Sequence, residues 1–301
     1  MRKKNPNRPP LGFLAACVVP ALVLTLVLMV FPAFNALRMS FTNAASIRAS
    51  SNARFVGLDN YIYMFVKDIK FHAALWNTFR LILVVPVCTI FAGLVCAFFL
   101  TQTKLRERGV YRVLFFFPSV ISFTVVAVVW ACIFDPRSGG VANKILGILG
   151  AGPVIWLGDD RYALWCIAFV LIWQAAGYYM VMHIAAIDGI STDIYEAASI
   201  DGAGPAAKFF RITIPLLKDT IGITLVLSLS GTINISYILS QVMTGGGPGS
   251  ATLVILQYVY LSAFGSSANF GYAMSVTVFS LALAFLLSFL SRKVSYTGAN
   301  T

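Results

Sequence analysis

The sequence predicts an all-α integral membrane protein with six transmembrane helices, and three observations support this fold class. Of the 301 residues, 59% are hydrophobic and only 11% are charged, and the mean hydropathy is +0.84, which is far too apolar for a soluble domain of this length. Windows of about 20 apolar residues, the length that crosses the hydrocarbon core of a bilayer, recur along the chain. The basic residues are scattered between those windows rather than gathered in a stripe, so membrane topology explains the net charge of +11 better than nucleic-acid binding does.

Taken in order, the predicted spans are separated by short polar segments. The first span follows the basic residues Arg2, Lys3 and Lys4, but its apolar run is longer than the 7–15 residues typical of a signal peptide. We therefore expect an uncleaved helix. The six predicted spans are 11–34, 79–101, 113–134, 163–187, 220–243 and 271–291.

The distribution of positive charge predicts the orientation of these spans. With both termini in the cytoplasm, 13 of the 22 Lys and Arg residues lie on the inner side, and the densest cluster is Lys104, Arg106, Arg108 and Arg112 in one short loop. Positive charge favours the cytoplasmic side. The predicted segments are then a cytoplasmic tail 1–10, an extracytoplasmic segment 35–78, a helical core 79–291 with a cytoplasmic loop 188–219, a charge-free outer segment 244–270, and a cytoplasmic tail 292–301.

Several function classes lose support from what the sequence lacks. No lysine directly follows a glycine, so no phosphate-binding loop of the Walker type is present. Five cysteines lie in or beside the apolar spans without CxxC spacing, which argues against a metal site or a disulfide framework.

Two alternative functions remain open at this point. A self-contained secondary transporter usually carries ionisable residues within the membrane, but apart from Arg80 at the outer end of the second span the predicted spans contain only His183, near an inner helix end. An integral membrane enzyme would need a convergent set of reactive groups, and only the dispersed His72, His183 and Asp159-Asp160 are available. Both alternatives are therefore disfavoured.

The stretch YEAASIDGAGPAAKFFRITIPLL at 195–217 is too polar and too interrupted to be another span. Asp193 is a candidate N-cap with Glu196 three residues later, a variant of the capping box. Gly202 suits the left-handed residue that ends a helix, and Gly204-Pro205 suits the start of a second one. The stretch predicts a short helical elbow, although an ordinary structured loop explains it equally well from the residues alone.

This elbow resembles the EAA motif of permease subunits of ABC importers. The motif is matched by Glu196-Ala197-Ala198, Gly202, Ile212 and Ile214-Pro215 at the family's spacing. In that family the motif forms the coupling helix, which docks in a cleft of the ATP-binding subunit. The resemblance therefore implies that the ATPase-coupling residues are Glu196, Ala197, Ala198, Asp201 and Gly202.

Further stretches resemble the carbohydrate branch of the family, which includes maltose and glycerol-3-phosphate permeases. Two departures are the run GTINISY at 231–237, where relatives often carry more aromatic residues, and a first outer loop too short for an extra soluble domain. The identity of the sugar is therefore not implied. The matching stretches, in order, are FVGLDNYIYMFVKD at 55–68, ALWNTF at 74–79, FFFPSVISF at 115–123, WLGDD at 156–160, MTGGGPGSATL at 243–253 and FGYAMS at 270–275, with Tyr258, Tyr260 and Phe264.

The resemblance implies a type I ABC importer transmembrane domain in the cytoplasmic membrane of a bacterium or archaeon. It implies a second homologous permease subunit, two ATP-binding subunits and an extracytoplasmic solute-binding protein as partners, with a sugar, oligosaccharide or polyol as cargo and no nucleic acid. ATP and Mg²⁺ would be used by the ATP-binding subunits, so this chain is expected to be non-catalytic and to bind no cofactor or metal.

Neutral polar residues that share a helical face predict the substrate pathway, because proteins hold sugars through hydrogen bonds and apolar faces. Span four offers such a face at i, i+3, i+4 and i+7, and span five offers one turn of hydroxyl residues with polar neighbours. The alternative is that these groups only join helices within the membrane. The predicted pathway residues are Leu171, Gln174, Ala175, Tyr178, Thr232, Asn234, Ser236 and Tyr237.

Overall fold

The computed structural model describes residues 11–46, 53–102, 106–136, 140–266 and 268–297, and in these ranges the chain is helical apart from loops and one isolated bridge between Thr42 and Phe55. The predicted tail 1–10, Lys104 of the basic loop and the last four residues lie outside the described ranges. The chain divides into two compact units, one of residues 1–67 and 259–279 and one of residues 68–258 and 280–301.

The first unit contains a long N-terminal helical segment and a small apolar cluster. The segment consists of α1 (Leu11–Thr25), a π-helical turn (Leu26–Val30) and α2 (Phe31–Ser40), and it is followed by α3 (Asp59–Val66). Met39, Ala44, Ala263, Phe270 and Ala273 form its buried apolar cluster. Asn60 Nδ2 donates to the carbonyl oxygens of Ser40 and Thr42 at 2.8 and 3.0 Å, which fixes α3 against the end of α2.

The second unit is a bundle whose main helices are α4 (Ile69–Gln102), α8 (Ala163–Ile187) and α12 (Lys218–Met243). Its other elements are α5 (Arg108–Val120), α6 (Phe123–Ile133), α7 (Val141–Ile148), α9 (Thr192–Ile200), α10 (Pro205–Lys208), a π-helical turn (Phe209–Thr213) and α11 (Ile214–Leu216). Two further helices, α13 (Ile255–Phe264) and α14 (Phe270–Thr297), each have residues in both units.

Two glycines allow the bundle helices to approach closely. A Cβ atom at Gly93 of α4 would lie 3.0 Å from Met180 N and 3.1 Å from Ala176 O of α8. A Cβ atom at Gly177 of α8 would overlap the carbonyl oxygen of Phe115 in α5. Small residues at such positions let membrane helices pack backbone to backbone.

The helices agree with several predicted spans and differ from others. Span four is α8, and span five lies within α12. The helix of predicted span 79–101 begins ten residues earlier, at Ile69, because Asp68 Oδ1 accepts a hydrogen bond from Phe71 N at 3.0 Å. Predicted span 113–134 is broken into α5 and α6, which meet at a 98° bend.

The described residues contain four helices that are long and apolar enough to cross a membrane, or five if the bent α5–α6 pair is one span. The first of these candidates is Ala15–Ser40. The sixth predicted span, 271–291, lies on α14, of which Phe270–Leu286 is a shorter apolar helix. The count of six therefore remains a prediction.

Candidate functional site

The predicted elbow at 188–219 is formed by α9, α10, the second π-helical turn and α11. The N-cap of α9 is Ser191, whose Oγ accepts a hydrogen bond from Asp193 N at 3.3 Å. The prediction that Asp193 caps the helix is therefore wrong, because a serine two residues earlier already satisfies that end. Gly202 has φ of 79° after the last helical turn, as the sequence predicts, and Pro205 begins α10.

The predicted coupling residues lie mainly on the solvent-exposed surface of this elbow. Glu196, Ala197, Asp201 and Gly202 are exposed, and Ala198 is half-buried. Ile200 is 87% exposed, so α9 presents an apolar group beside a carboxylate to any partner. An exposed helix with small side chains allows a partner surface to approach its backbone closely.

Two polar contacts join segments within the elbow, and an ion pair joins the elbow to α5. Tyr195 is buried, and its hydroxyl lies 2.9 Å from the Thr213 hydroxyl. Lys208 Nζ donates to Ser199 Oγ at 2.6 Å on the surface. Arg108 at the start of α5 forms an exposed ion pair with Asp188 at 3.3 Å, a pair that contributes little by itself.

A small cavity, here called the inner cavity, lies among α4, α6, α8 and α12, where the substrate pathway is predicted. Its volume is about 30 Å³, and its walls combine apolar side chains with hydroxyl groups. Polar and apolar groups together are what a sugar requires. The lining residues are Val85, Thr89, Phe123, Leu171, Ala175, Tyr179, Ser228, Gly231, Thr232 and Ile235.

The structure brings three of the eight predicted pathway residues, Leu171, Ala175 and Thr232, to this cavity. Tyr178 does not line it and is 48% exposed, so the face of α8 that meets the cavity continues to Tyr179 instead. The other predicted residues are elsewhere: Asn234 is exposed and donates to Ser230 O, Ser236 is buried and donates to Ile233 O, and Tyr237 packs on the apolar core.

Gln174, the remaining predicted residue, binds the break between α5 and α6. It is 1% exposed, and its Nε2 donates to the carbonyl oxygen of Ile121 at 3.1 Å. That carbonyl lies at the bend, where the regular helical pattern of hydrogen bonds ends. Gln174 Oε1 has no hydrogen-bond partner among the described residues, so one end of this amide remains able to accept.

Sequence reasoning missed the hydroxyl groups of Thr89, Tyr179 and Ser228. Thr89 is fully buried in α4, and its Oγ1 lacks a hydrogen-bond partner in the described part of the chain. An unpartnered buried hydroxyl is unusual in proteins. Ser228 and Thr232 are four residues apart and therefore lie on one face of α12. A search for polar residues at this spacing would have found them.

Hydrogen bonds connect the first part of the predicted outer segment to α12, α13 and α4. Thr244 and Thr252 share a hydrogen bond of 2.6 Å, and Ser240 Oγ lies 2.7 Å from Gln257 Oε1. Asn77 Nδ2 of α4 donates to the carbonyl oxygens of Ser250 and Leu253 at 2.9 and 3.0 Å. These contacts hold the loop against α4.

A cavity of about 620 Å³ lies beside this loop, between α4 and residues 155–161. Asp159 in its wall accepts hydrogen bonds from Arg161 Nε and a second guanidinium nitrogen at 3.1 and 2.9 Å. The hydrogen bonds from Arg161 lower the pKa of Asp159 from 3.8 to about 2, because they stabilise the ionised carboxylate. Asp159 is therefore charged throughout the physiological pH range.

Other reactive groups are dispersed. His183 is fully buried in α8, and neither ring nitrogen has a hydrogen-bond partner in the ranges described. Within those ranges no three His, Cys, Asp or Glu residues are grouped so that they could hold a metal ion.

The family match and the relatives in sequence agree on one protein family. Residues 89–296 match the family described as binding-protein-dependent transport system inner membrane component. The chain is 33% identical to the diacetylchitobiose uptake system permease protein NgcF of Streptomyces coelicolor, with 92% of this chain and 82% of NgcF covered. It is 32% identical to the lactose transport system permease protein LacF of Rhizobium radiobacter, with 91% and 90% covered.

A solved structure has the same fold. A chain of a bacterial ABC transporter involved in the import of the acidic polysaccharide alginate superposes with a TM-score of 0.82 over 95% of this chain and 96% of its own length, at 22% identity. The architecture is therefore that of an ABC importer transmembrane domain.

Proposed function

Because this chain belongs to the family of binding-protein-dependent transport system inner membrane components, we propose that it is the permease subunit of an ATP-driven importer of a sugar, oligosaccharide or related polyol. It forms half of the translocation pathway and catalyses no bond cleavage itself. ATP hydrolysis, with Mg²⁺, belongs to separate partner subunits.

The observation that carries the sugar class is the likeness to NgcF and LacF over more than nine-tenths of the chain, since both are named for disaccharide transport. The chemistry of the inner cavity supports the same class. Its polar groups are the neutral hydroxyls of Thr89, Tyr179, Ser228 and Thr232, which can exchange hydrogen bonds with sugar hydroxyls without the desolvation cost of a charge.

The size of the inner cavity supports an alternating-access mechanism. Its volume of about 30 Å³ equals one water molecule's share of the liquid, whereas ligand pockets begin at about 300 Å³. A sugar can occupy this cavity only if α4, α6, α8 and α12 separate. We infer that ATP-driven closure of the partner subunits supplies this separation by shifting the population of two states.

The proposed assembly has a second homologous permease, two ATP-binding subunits and an extracytoplasmic solute-binding protein. The exposed face of α9, with Glu196, Ala197, Ala198, Asp201 and Gly202, docks the ATP-binding subunit. The charge-free outer loop faces the solute-binding protein. Both termini lie in the cytoplasm of a bacterial or archaeal cell.

Affinity purification of the chain from its native membranes tests this proposal. We expect ATP-binding subunits and a second permease to copurify in fixed proportion, and a chain that purifies alone would refute the importer. The cargo is then identified by thermal stabilisation of the solute-binding protein with a panel that includes lactose, diacetylchitobiose and glycerol phosphate, since a ligand that binds only the native state raises its melting temperature.

A further inference from the structure

Helix α9 has a single buried side chain, and that side chain is Tyr195. The other residues of α9, all of which are described, are exposed or half-buried. A force applied to the exposed face of α9 can therefore leave the helix through the backbone at its ends, through the exposed Ser199–Lys208 contact, or through the buried Tyr195 ring and its hydroxyl.

The partner of the Tyr195 hydroxyl is Thr213, the last residue of the second π-helical turn. Thr213 is 0% exposed, and its Oγ1 donates to the carbonyl oxygen of Lys208 at 3.1 Å, five residues earlier. A hydroxyl has one proton to donate. Because Thr213 uses its proton on Lys208, the Tyr195 hydroxyl is the donor in the 2.9 Å contact between the two side chains.

Thr213 lies in the part of the elbow that leads into α12. Phe209, at the start of the same π-helical turn, is 6% exposed and makes an edge contact with Phe98 of α4 at 5.1 Å. Leu217 is 2% exposed and belongs to the same buried apolar cluster as Phe209. It immediately precedes the first residue of α12. The Tyr195–Thr213 hydrogen bond thus joins α9 to a segment that is packed on α4 and continuous with α12, and both of those helices line the inner cavity.

We infer that Tyr195 is a positioning residue whose hydroxyl, through Thr213, transmits movement of α9 to α12 and to the inner cavity. This inference rests on the proposed function, since it requires an ATP-binding subunit to move α9. The π-helical turn is the element that changes shape, because the Thr213 side chain satisfies a backbone carbonyl there and can release it.

The test follows nucleotide-dependent opening of the cavity in the purified complex. Gly231 lines the cavity, and a Cβ atom there would meet only Ile235 Cδ1 at 3.8 Å, so Gly231→Cys in a background without native cysteines is a tolerable reporter. Its rate of maleimide labelling is measured in nanodiscs with and without Mg-ATP and vanadate. This readout needs no knowledge of the sugar.

Two substitutions remove the hydrogen bond while keeping the volume of the side chain: Tyr195→Phe and Thr213→Val. Each should reduce the nucleotide-induced change in the labelling rate by about 2- to 12-fold, the range for loss of one hydrogen bond. The double variant should be no worse than Thr213→Val alone, because Thr213→Val already removes the hydrogen bond from Tyr195 together with the one to Lys208. Thr213→Ser should behave as wild type. So should Ser199→Ala, which removes the contacts of the Ser199 hydroxyl with Lys208 and with the Tyr195 carbonyl oxygen but leaves the Tyr195 hydroxyl in place.

Complex yield and melting temperature, measured on the same samples, separate transmission from a merely structural role. Normal switching in Tyr195→Phe would overturn the inference, and so would lower stability with unchanged switching per complex, or additive effects in the double variant. A wild-type complex that holds ATP-binding subunits but shows no nucleotide response also overturns it. Absence of any copurified ATP-binding subunit is a different result, which refutes the proposed function itself.

Discussion

Replacing Gly177 with alanine tests the contact that holds the broken span against α8. A Cβ atom at this position overlaps the carbonyl oxygen of Phe115 and approaches Phe116 Cα at 2.9 Å. Both are backbone atoms, which cannot rotate aside as the end of a side chain can. The alanine methyl group therefore forces α5 and α8 apart.

The magnitude follows from comparison with a matched glycine on α5. Overpacking of a tight contact costs about 1–3 kcal/mol, while replacing glycine by alanine within a helix gains up to about 1 kcal/mol. Gly109→Ala has the gain alone, because nothing lies within 4 Å of its Cβ position. The two variants should thus differ by about 1–3 kcal/mol, with Gly93→Ala between them, since its Cβ contacts lie at 3.0–3.3 Å.

Thermal unfolding of the purified chain, followed by tryptophan fluorescence, measures this difference. A change of 1 kcal/mol moves the melting temperature of a large domain by about 2–4 °C, so Gly177→Ala should melt about 2–12 °C below Gly109→Ala. Uptake should also fall, because Phe123 at the start of α6 lines the inner cavity. Equal melting temperatures for the two variants would refute the proposed backbone contact.

Four further outcomes are expected. Gln174→Ala removes the side-chain donor to the Ile121 carbonyl at the bend. Uptake should fall about 2- to 12-fold while ATPase stimulation by the loaded binding protein survives, and normal uptake would contradict the role of Gln174 at the bend. The pKa of Asp159 is about 2, so this carboxylate stays ionised at every pH from 5 to 8 and does not titrate there. The pH profile of uptake between 5 and 8 should therefore have the same shape for wild type and Asp159→Asn, and an acid transition that only wild type shows would be inconsistent with this. Ser250→Cys should react with an impermeant maleimide from outside the cell, and labelling only from the cytoplasm would invert the predicted topology. Gly202→Val should disfavour the left-handed conformation by about 1–2 kcal/mol and weaken copurification of ATP-binding subunits, whereas unchanged recovery would show that the end of α9 is not part of the docking surface.

Hydropathy predicted the long helices well because crossing a membrane requires a continuous apolar run. The fourth predicted span has the bounds of α8, and the fifth lies within α12. The start of α4 could not be found in this way, since its first ten residues lie before the apolar window and depend on the Asp68 cap. Local capping and membrane burial are separate influences on the same helix.

Only some of the residues that line the inner cavity were among those predicted from the sequence. The face of α8 defined by positions i, i+3, i+4 and i+7 is wider than the strip of side chains that borders the cavity. Leu171 and Ala175 lie on that strip, but the tyrosine that continues it is Tyr179 and not Tyr178. Thr89 on α4 had no polar neighbour in the sequence to draw attention to it. Its contribution depends on which helices pack together, which a single sequence does not encode locally.

The irregular backbone of this chain identifies where its helices can change shape. At each of two irregular positions a side chain donates a hydrogen bond to a backbone carbonyl: Gln174 to that of Ile121 at the bend, and Thr213 to that of Lys208 at the π-helical turn. Hydropathy alone finds neither contact, because it registers apolar runs and not hydrogen bonds between particular groups. A segment whose carbonyl is bonded to a removable side-chain donor can adopt a second shape at lower cost than a regular helix. Movement that begins at α9 should therefore be absorbed at these two positions, and the variants at Tyr195, Thr213 and Gln174 probe both.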